Sequence, residues 1–369
     1  MSNDFDVVVI GAGIIGAACA FELNREGLRV LVLDASRAAS GSSGRCMGHV
    51  VAMDDNPAIL DLTVLSGRLW RELATDYAEA LEYNPCGTVW ISADEEEMEA
   101  ARSKADNYSH HGLTIRLLNE QALYKLEPNL SPGLVGGLEV ADDIVVYPPT
   151  CIRLFLEDLK VLGNHRVQKI VDHAVVLEDG SEIRGDRIIN AAGVAAPLLI
   201  PELPIQPRKG HLVITDRYPG FCHHQLVELG YVKSAEKMEA ESVAFNLQPR
   251  FSGQCLVGSS RELVGWDDSI NRTVAGNMLE RACAYMPSLR NLSAIRTWVG
   301  FRPATLDKLP LIGRWPLVQG LYIAAGHEGL GITTALGTAR LLADDILERT
   351  PPIDPAPFQA ERVLKDVQP

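Results

Sequence analysis

Asp6-Val7-Val8-Val9-Ile10-Gly11-Ala12-Gly13-Ile14-Ile15-Gly16 decides the fold. Val7 to Ile10 is a β-branched run of the kind a buried parallel strand needs, and a glycine turn follows it at once. Gly11 permits the tight turn, Gly13 lets the backbone approach a phosphate, and Gly16 lets the next helix pack on the strand. Residues 14 to 26 read as that helix, ending at Gly27. With Ile14 and Ile15 in its first turn, its N-terminus presents free N–H groups and a positive dipole end to an anion. Arg29-Val30-Leu31-Val32-Leu33-Asp34 is a second buried strand with an acid at its tip, where a carboxylate accepts ribose hydroxyls. The first 34 residues therefore form one βαβ unit, and the unit predicts a bound dinucleotide. Ala35, Ser36 and Arg37 follow the acid. Arg37 would suit a 2′-phosphate, but Asp34 repels one, so Arg37 reads as a loop residue beside the adenosine.

Composition narrows the partners. The chain has 369 residues, 47% hydrophobic and 22% charged, enough for a two-domain enzyme. A net charge of -14 without a dense Lys/Arg block argues against nucleic acid and anionic lipid. Residues 1 to 6 are acidic and run straight into a strand, so no basic leader precedes a hydrophobic stretch, and the expected compartment is the cytosol. No apolar run has the length of a membrane span. Seven scattered cysteines without a Cys-x-x-Cys pair read as reduced thiols.

Further along, residues 59 to 82 read as an amphipathic helix, and the middle alternates strands (88–92, 115–118, 135–140) with helices (96–110, 150–161). Glu182 to Gly193 and Leu321 to Gly326 repeat the pattern of a buried strand ending in glycine. Residues 205 to 300 read as mostly antiparallel strand with one helix near 273–285, and residues 330 to 348 as a long helix. The tail after Thr350 looks loosely ordered. The βαβ unit alone serves NAD and FAD equally, but two distant segments favour the longer cofactor. Ser40-Gly41-Ser42-Ser43-Gly44-Arg45-Cys46-Met47-Gly48-His49 offers small residues, hydroxyls and exposed N–H groups to a ribityl chain and flavin edge. Gly326-His327-Glu328-Gly329-Leu330-Gly331-Ile332-Thr333 opens the last long helix, whose positive end stabilises charge on a reduced flavin.

These pieces together resemble the D-amino acid oxidase-like family of FAD enzymes. The matching strings are VVVIGAGIIGAACAFELNREG, LVLD, SGSSGR, RIINAAG, GFRPATLDKLPLIG and AAGHEGLGITTALGTARLLADDI, which span nearly the whole chain. Within the family, PRKGHLVITD, GFRPATLDKLPLIG and GHEGLGITT look most similar to D-hydroxyproline dehydrogenases and opine oxidase β subunits. The resemblance implies an α/β fold: a discontinuous Rossmann-like FAD-binding domain (1–82, 141–204 and 304–369) and an α+β substrate domain on a mixed or antiparallel sheet (83–140 and 205–303). It brings Val167, Ala191, Ala192, Gly193 and Gly300 to the cofactor beside the residues already named.

The resemblance further implies non-covalent FAD, since no cysteine stands at 300–303, and oxidation of an amino or imino acid by hydride transfer to flavin N5. Arg302, in Gly300-Phe301-Arg302-Pro303, matches the arginine that holds the substrate carboxylate; a salt bridge to Asp307 is its structural alternative. Asn246 stands where several relatives carry a substrate-facing tyrosine. His49 and His327 are candidates to tune the amine or the flavin. Glu328 either faces a cationic amine or is a helix-start carboxylate held by the dipole. The electron acceptor implied is O2, a quinone or a partner subunit, in a homo- or hetero-oligomer, with a glycine or sarcosine oxidase or a subunit of a larger dehydrogenase as alternatives.

Overall fold

The glycine turn lies between strand β1 (Phe5–Ile10) and helix α1 (Ile14–Arg25) in a computed structural model that describes residues 5–230 and 241–364. Residues 1 to 4 of the stretch on which the expectation about a leader rests lie outside the described residues, as do 231–240 and 365–369. Strand β2 (Val30–Leu33) pairs parallel with β1, and Gly11 N–H donates to Leu33 O at 2.7 Å, tying the turn to the strand that carries Asp34. On the other side β1 pairs parallel with Glu182–Asn190, and that strand with Leu321–Ala325. All four strands are buried where they cross the sheet, which accounts for their continuous apolar runs. Helix α1, Pro57–Leu81, Pro148–Leu156 and Gly331–Ile346 cover one face, and apolar side chains from Val167 to Leu177, the 196–205 segment and the C-terminal segment cover the other.

A second eight-stranded sheet is built from the middle of the chain. Ala294–Thr305 pairs antiparallel with Ile205–Thr215, which pairs with Cys255–Glu262, which pairs with Glu241–Pro249. Gln225–Glu228 joins that set to Thr88–Ser92 through a parallel pair, so the sheet is mixed. Helices Arg272–Tyr285 and Glu95–His110 back it.

Two expectations need correction. The helix read over 150–161 ends at Leu156, because Lys160–Leu162 leaves it to pair parallel with β2 at the sheet edge. The tail after Thr350 is not loose through residue 364: Phe358, Ala360 and Val363 are buried against the first sheet, and Arg362 pairs with Asp307 at 3.0 Å.

Candidate active site

Between the two sheets runs a cleft of about 840 Å³. At one end the glycine turn and α1 form its floor. The first turn of α1 holds no acidic residue, and no side chain caps it at Gly13. Its dipole therefore faces the cleft with no carboxylate from its own first turn against it. Gly11 has φ +109°, and a Cβ there would lie 2.5 Å from Ala191 O; a Cβ at Gly13 would lie 3.2 Å from Ser43 Oγ. Ser43 Oγ accepts Ile14 N–H at 3.0 Å, so the serine loop is docked on the helix start. Asp34 accepts Ala12 N–H at 2.7 Å and Ser36 N–H at 2.8 Å, which fixes its carboxylate at the mouth of the turn.

Most of the residues singled out from sequence line this one cleft. Gly11, Gly13, Ile14, Ile15, Asp34 and Ala35 stand at the turn; Ser42, Ser43, Arg45, Cys46, Met47 and His49 come from the serine loop. Val167, Ala191, Ala192 and Gly193 lie beside the turn, and Gly300, Arg302, His327, Glu328, Gly329, Leu330, Gly331 and Ile332 at the far end, with Asn246 on the second sheet. Seven others are not part of the lining. Gly16 packs α1 on the turn, where a Cβ would sit 1.9 Å from Gly11 O. Gly44, Gly48 and Gly326 are close-packing positions, at which a Cβ would meet Ala39 O at 2.0 Å, Val146 O at 2.2 Å and Thr305 Cγ2 at 2.6 Å. Thr333 donates to His49 O at 3.1 Å and so braces the loop, while Ser36 and Arg37 are exposed.

Arg302 reaches across Gly210 from the neighbouring strand and donates from Nη1 to Ser260 O at 3.0 Å. A Cβ at Gly210 would lie only 2.3 Å from that nitrogen, so the glycine makes room for the guanidinium. Asp307, the alternative partner named from sequence, is engaged by Arg362. Glu328 lies in a short 3-10 turn ahead of the helix, which starts at Gly331, and its Oε1 accepts from Arg208 Nη1 at 2.8 Å. The dipole is therefore not what holds this carboxylate; a buried arginine is. Arg208 is absent from the residues chosen on sequence, although the adjacent cations Arg208-Lys209 inside an apolar strand are a signal that both need partners.

The two histidines are neutral at physiological pH. His49 Nε2 lies 3.2 Å from Gly329 O, and burial with the nearby Arg302 charge pushes its pKa down to about 4. His327 Nε2 lies 3.0 Å from Thr338 Oγ1, and burial pushes it down to about 3. Sequence reasoning missed the roof of the cleft, where Trp90, Gln225, Val227, Ser259 and Arg261 line the second sheet, and Lys308 at the rim.

A glycine turn on a helix N-terminus, an acid at the tip of the next strand and a cleft roofed by a second sheet define a dinucleotide-dependent enzyme, and the residues present fit FAD. A family model described as FAD dependent oxidoreductase matches residues 6–345. The chain belongs to that family and is an FAD-dependent oxidoreductase. It is similar to the hydrogen cyanide synthase subunit HcnC of Pseudomonas aeruginosa, 29% identical over 98% of this chain and 97% of the relative. It is also similar to the glycine oxidase of the same organism, 27% identical over 95% and 97%. In fold it matches the crystal structure of L-proline dehydrogenase from P. horikoshii, with a TM-score of 0.89, 22% identity and 99% of both chains covered. Among the described residues no helix is long and apolar enough to cross a membrane.

Proposed function

We propose that this enzyme oxidises the C–N bond of an amino or imino acid, as a dehydrogenase of D-amino acids or D-hydroxyproline. The observation that carries the reading is Arg302: a cation on the roof of the cleft, in a protein of net charge -14, kept in place by Ser260 O and the absence of a side chain at Gly210. A guanidinium there takes a planar carboxylate in two parallel hydrogen bonds and so orients the Cα–H. Non-covalent FAD, held by the residues below, would supply the hydride acceptor, its N5, toward which Arg302 turns the Cα–H. The glycine turn, Asp34, the serine loop, Val167 and the 191–193 and 326–333 segments are assigned to the cofactor. Segments 1–82, 141–204 and 304–369 are assigned to its domain and 83–140 with 205–303 to the substrate domain, a division supported by the two separate sheets. Asn246 presents an amide to the substrate. Neutral His49 orients Gly329 through its ring N–H and adds no charge that would repel the amine. Seven unpaired thiols support the cytosol as its compartment.

The test is Arg302→Met in FAD-loaded enzyme. Losing a charge-assisted carboxylate contact should lower kcat/KM for amino acids about 10- to 100-fold, mainly through KM. An unchanged KM sinks the assignment. Likeness to a glycine oxidase favours a second reading, an oxidase that passes electrons to O2; steady peroxide release with glycine or sarcosine and none with hydroxyproline would select it. Likeness to a synthase subunit favours a third, a catalytic subunit that relays electrons to a partner or a quinone. Full oxidase turnover by the lone chain would exclude that one.

A further inference from the structure

We propose that Arg250 is a positioning residue for the cofactor: from the second sheet it holds the Met47-Gly48 stretch of the serine loop in the shape that receives the flavin. The inference rests on the assignment of the serine loop to FAD made above and is independent of the substrate. Arg250 stands in the turn between Glu241–Pro249 and Cys255–Glu262. The turn is closed by its own backbone, with Arg250 N–H donating to Gln254 O at 2.8 Å and Gly253 N–H to Arg250 O at 2.9 Å. From this fixed base the side chain crosses to the serine loop. Its Nη1 donates to Met47 O at 3.0 Å and to Val146 O at 3.2 Å, residues 203 and 104 positions away in the chain. Its Cζ lies 5.0 Å from the centre of the Tyr147 ring, so an aromatic face covers the cation.

What the guanidinium grips is the end of a short ladder. His49–Val50 pairs antiparallel with Ile144–Val145, and Val146 N–H extends the pairing to Gly48 O at 2.9 Å. Beyond it the carbonyls of Met47 and Val146, both buried residues, converge on one nitrogen of Arg250. Buried carbonyls without donors are costly, and one charged donor satisfies both. Gly48 makes room for the arrangement: its φ is +86°, and an added Cβ would lie 2.2 Å from Val146 O and 3.3 Å from Arg250 Nη1. The rest of the loop has other ties. Ser42 and Arg45 bond the strand Ala294–Thr305, Ser43 bonds the start of α1, and His49 O accepts from Thr333. Met47 lies between these anchors, its side chain clustered with Leu212 and Leu256 and its carbonyl on Arg250. Met47 and His49 both line the cleft, with Gly48 between them. Without Arg250 the Met47 carbonyl would turn to find water, and the peptide planes between these two cleft-lining residues would turn with it.

The experiment follows FAD in the holoenzyme of wild type, Arg250→Met, Arg250→Lys and Ser43→Ala, well below the melting transition of each. One readout is the rate at which flavin fluorescence rises as FAD is released on dilution. The other is the visible circular dichroism of the bound flavin, which reports how the protein encloses the ring. Arg250→Met should release FAD about 10-fold faster or more, the scale of one charge-assisted contact, with an altered dichroism. Arg250→Lys returns one charged nitrogen to the same two carbonyls and should recover most of both signals. Ser43→Ala should also speed release, since that hydroxyl docks the loop on the helix start. Wild-type release and dichroism in Arg250→Met, whatever its Tm, overturn the proposal, because Arg250 would then brace the fold alone. If Ser43→Ala is unchanged as well, the assignment of the serine loop to FAD falls with it. Should Arg250→Met fail to fold, Arg250→Gln, which keeps a neutral amide donor, is read in the same way with a factor of about 3 to 10.

Discussion

Gly210→Ala tests the placement of the key arginine without removing its charge. Gly210 pairs with Gly300 across the strand pair, and its φ lies outside the left-handed region, so the backbone accepts alanine. An added Cβ would lie 2.3 Å from Arg302 Nη1 and 2.8 Å from Cζ and Nη2, whereas ordinary contact begins near 3.4 Å. The guanidinium must therefore retreat by about 1 Å, a displacement that costs on the order of 100-fold in rate when it misplaces a bound substrate. Stability should move the other way. Gly→Ala at a compatible position restricts the unfolded chain and is worth about 0.4–1 kcal/mol, and the neighbour displaced is the flexible end of a side chain. The assay pairs kcat/KM on the best amino-acid substrate with a thermal melt and a flavin-content measurement. The expected pattern is a loss of roughly 100-fold in kcat/KM, with full FAD content and an unchanged or raised Tm. Wild-type kcat/KM in Gly210→Ala would refute the claim that this glycine exists to seat Arg302.

Two further outcomes follow from groups around the same end of the cleft. Glu328→Gln keeps the side chain's shape but leaves the Arg208 charge, 7% exposed, without its counterion. Denaturant unfolding should show a loss of about 3 kcal/mol, the lower end for breaking a buried pair, whereas a carboxylate held only by the helix dipole would cost under about 1 kcal/mol. His327 has a folded-state pKa of about 3 against 6.5 when exposed, so the unfolded chain binds the extra proton first on acidification. Its contribution to stability is complete above pH 6.5 and is lost progressively as pH falls toward 3. Tm measured from pH 7 down to 4 should therefore fall more steeply for wild type than for His327→Gln; parallel profiles would rule out a neutral buried imidazole.

The βαβ unit was legible because everything that specifies it is local. Val7 to Ile10 is buried on both faces and cannot alternate, an added Cβ at Gly11 or Gly16 would lie 2.5 or 1.9 Å from neighbouring backbone, and Asp34 ends the strand hydrogen-bonded to the turn. The end of the helix over 150–161 was not legible, because what stops it is the pairing of Lys160–Leu162 with a strand more than a hundred residues earlier. The tail after Thr350 misled for the same reason. Its prolines suit a loose segment, yet Arg362 is held by Asp307 and Phe358 by the first sheet.

In the site, the limit of sequence reading is clearest in Arg208-Lys209-Gly210-His211-Leu212, which matched as one family string. Folded, it divides by parity. Lys209 and His211 turn away from the cleft, where Lys209 Nζ holds Asp267 at 3.0 Å and His211 Nε2 accepts Asn271 N–H at 3.0 Å. Gly210 and Leu212 turn toward it, and the Arg208 side chain reaches Glu328. A period of two assigns each residue to a face once the strand is known, so the division was available from sequence. What was not available is which strand lies alongside. Only the pairing of Ile205–Thr215 with Cys255–Glu262 and Ala294–Thr305 puts Arg302 across Gly210 and Arg261 next to the carbonyl it holds. Motif matching finds residues that contact the cofactor, because a common cofactor demands common contacts. Arg261 lies in no such motif, and its place on the wall of the cleft emerges only when the register is known.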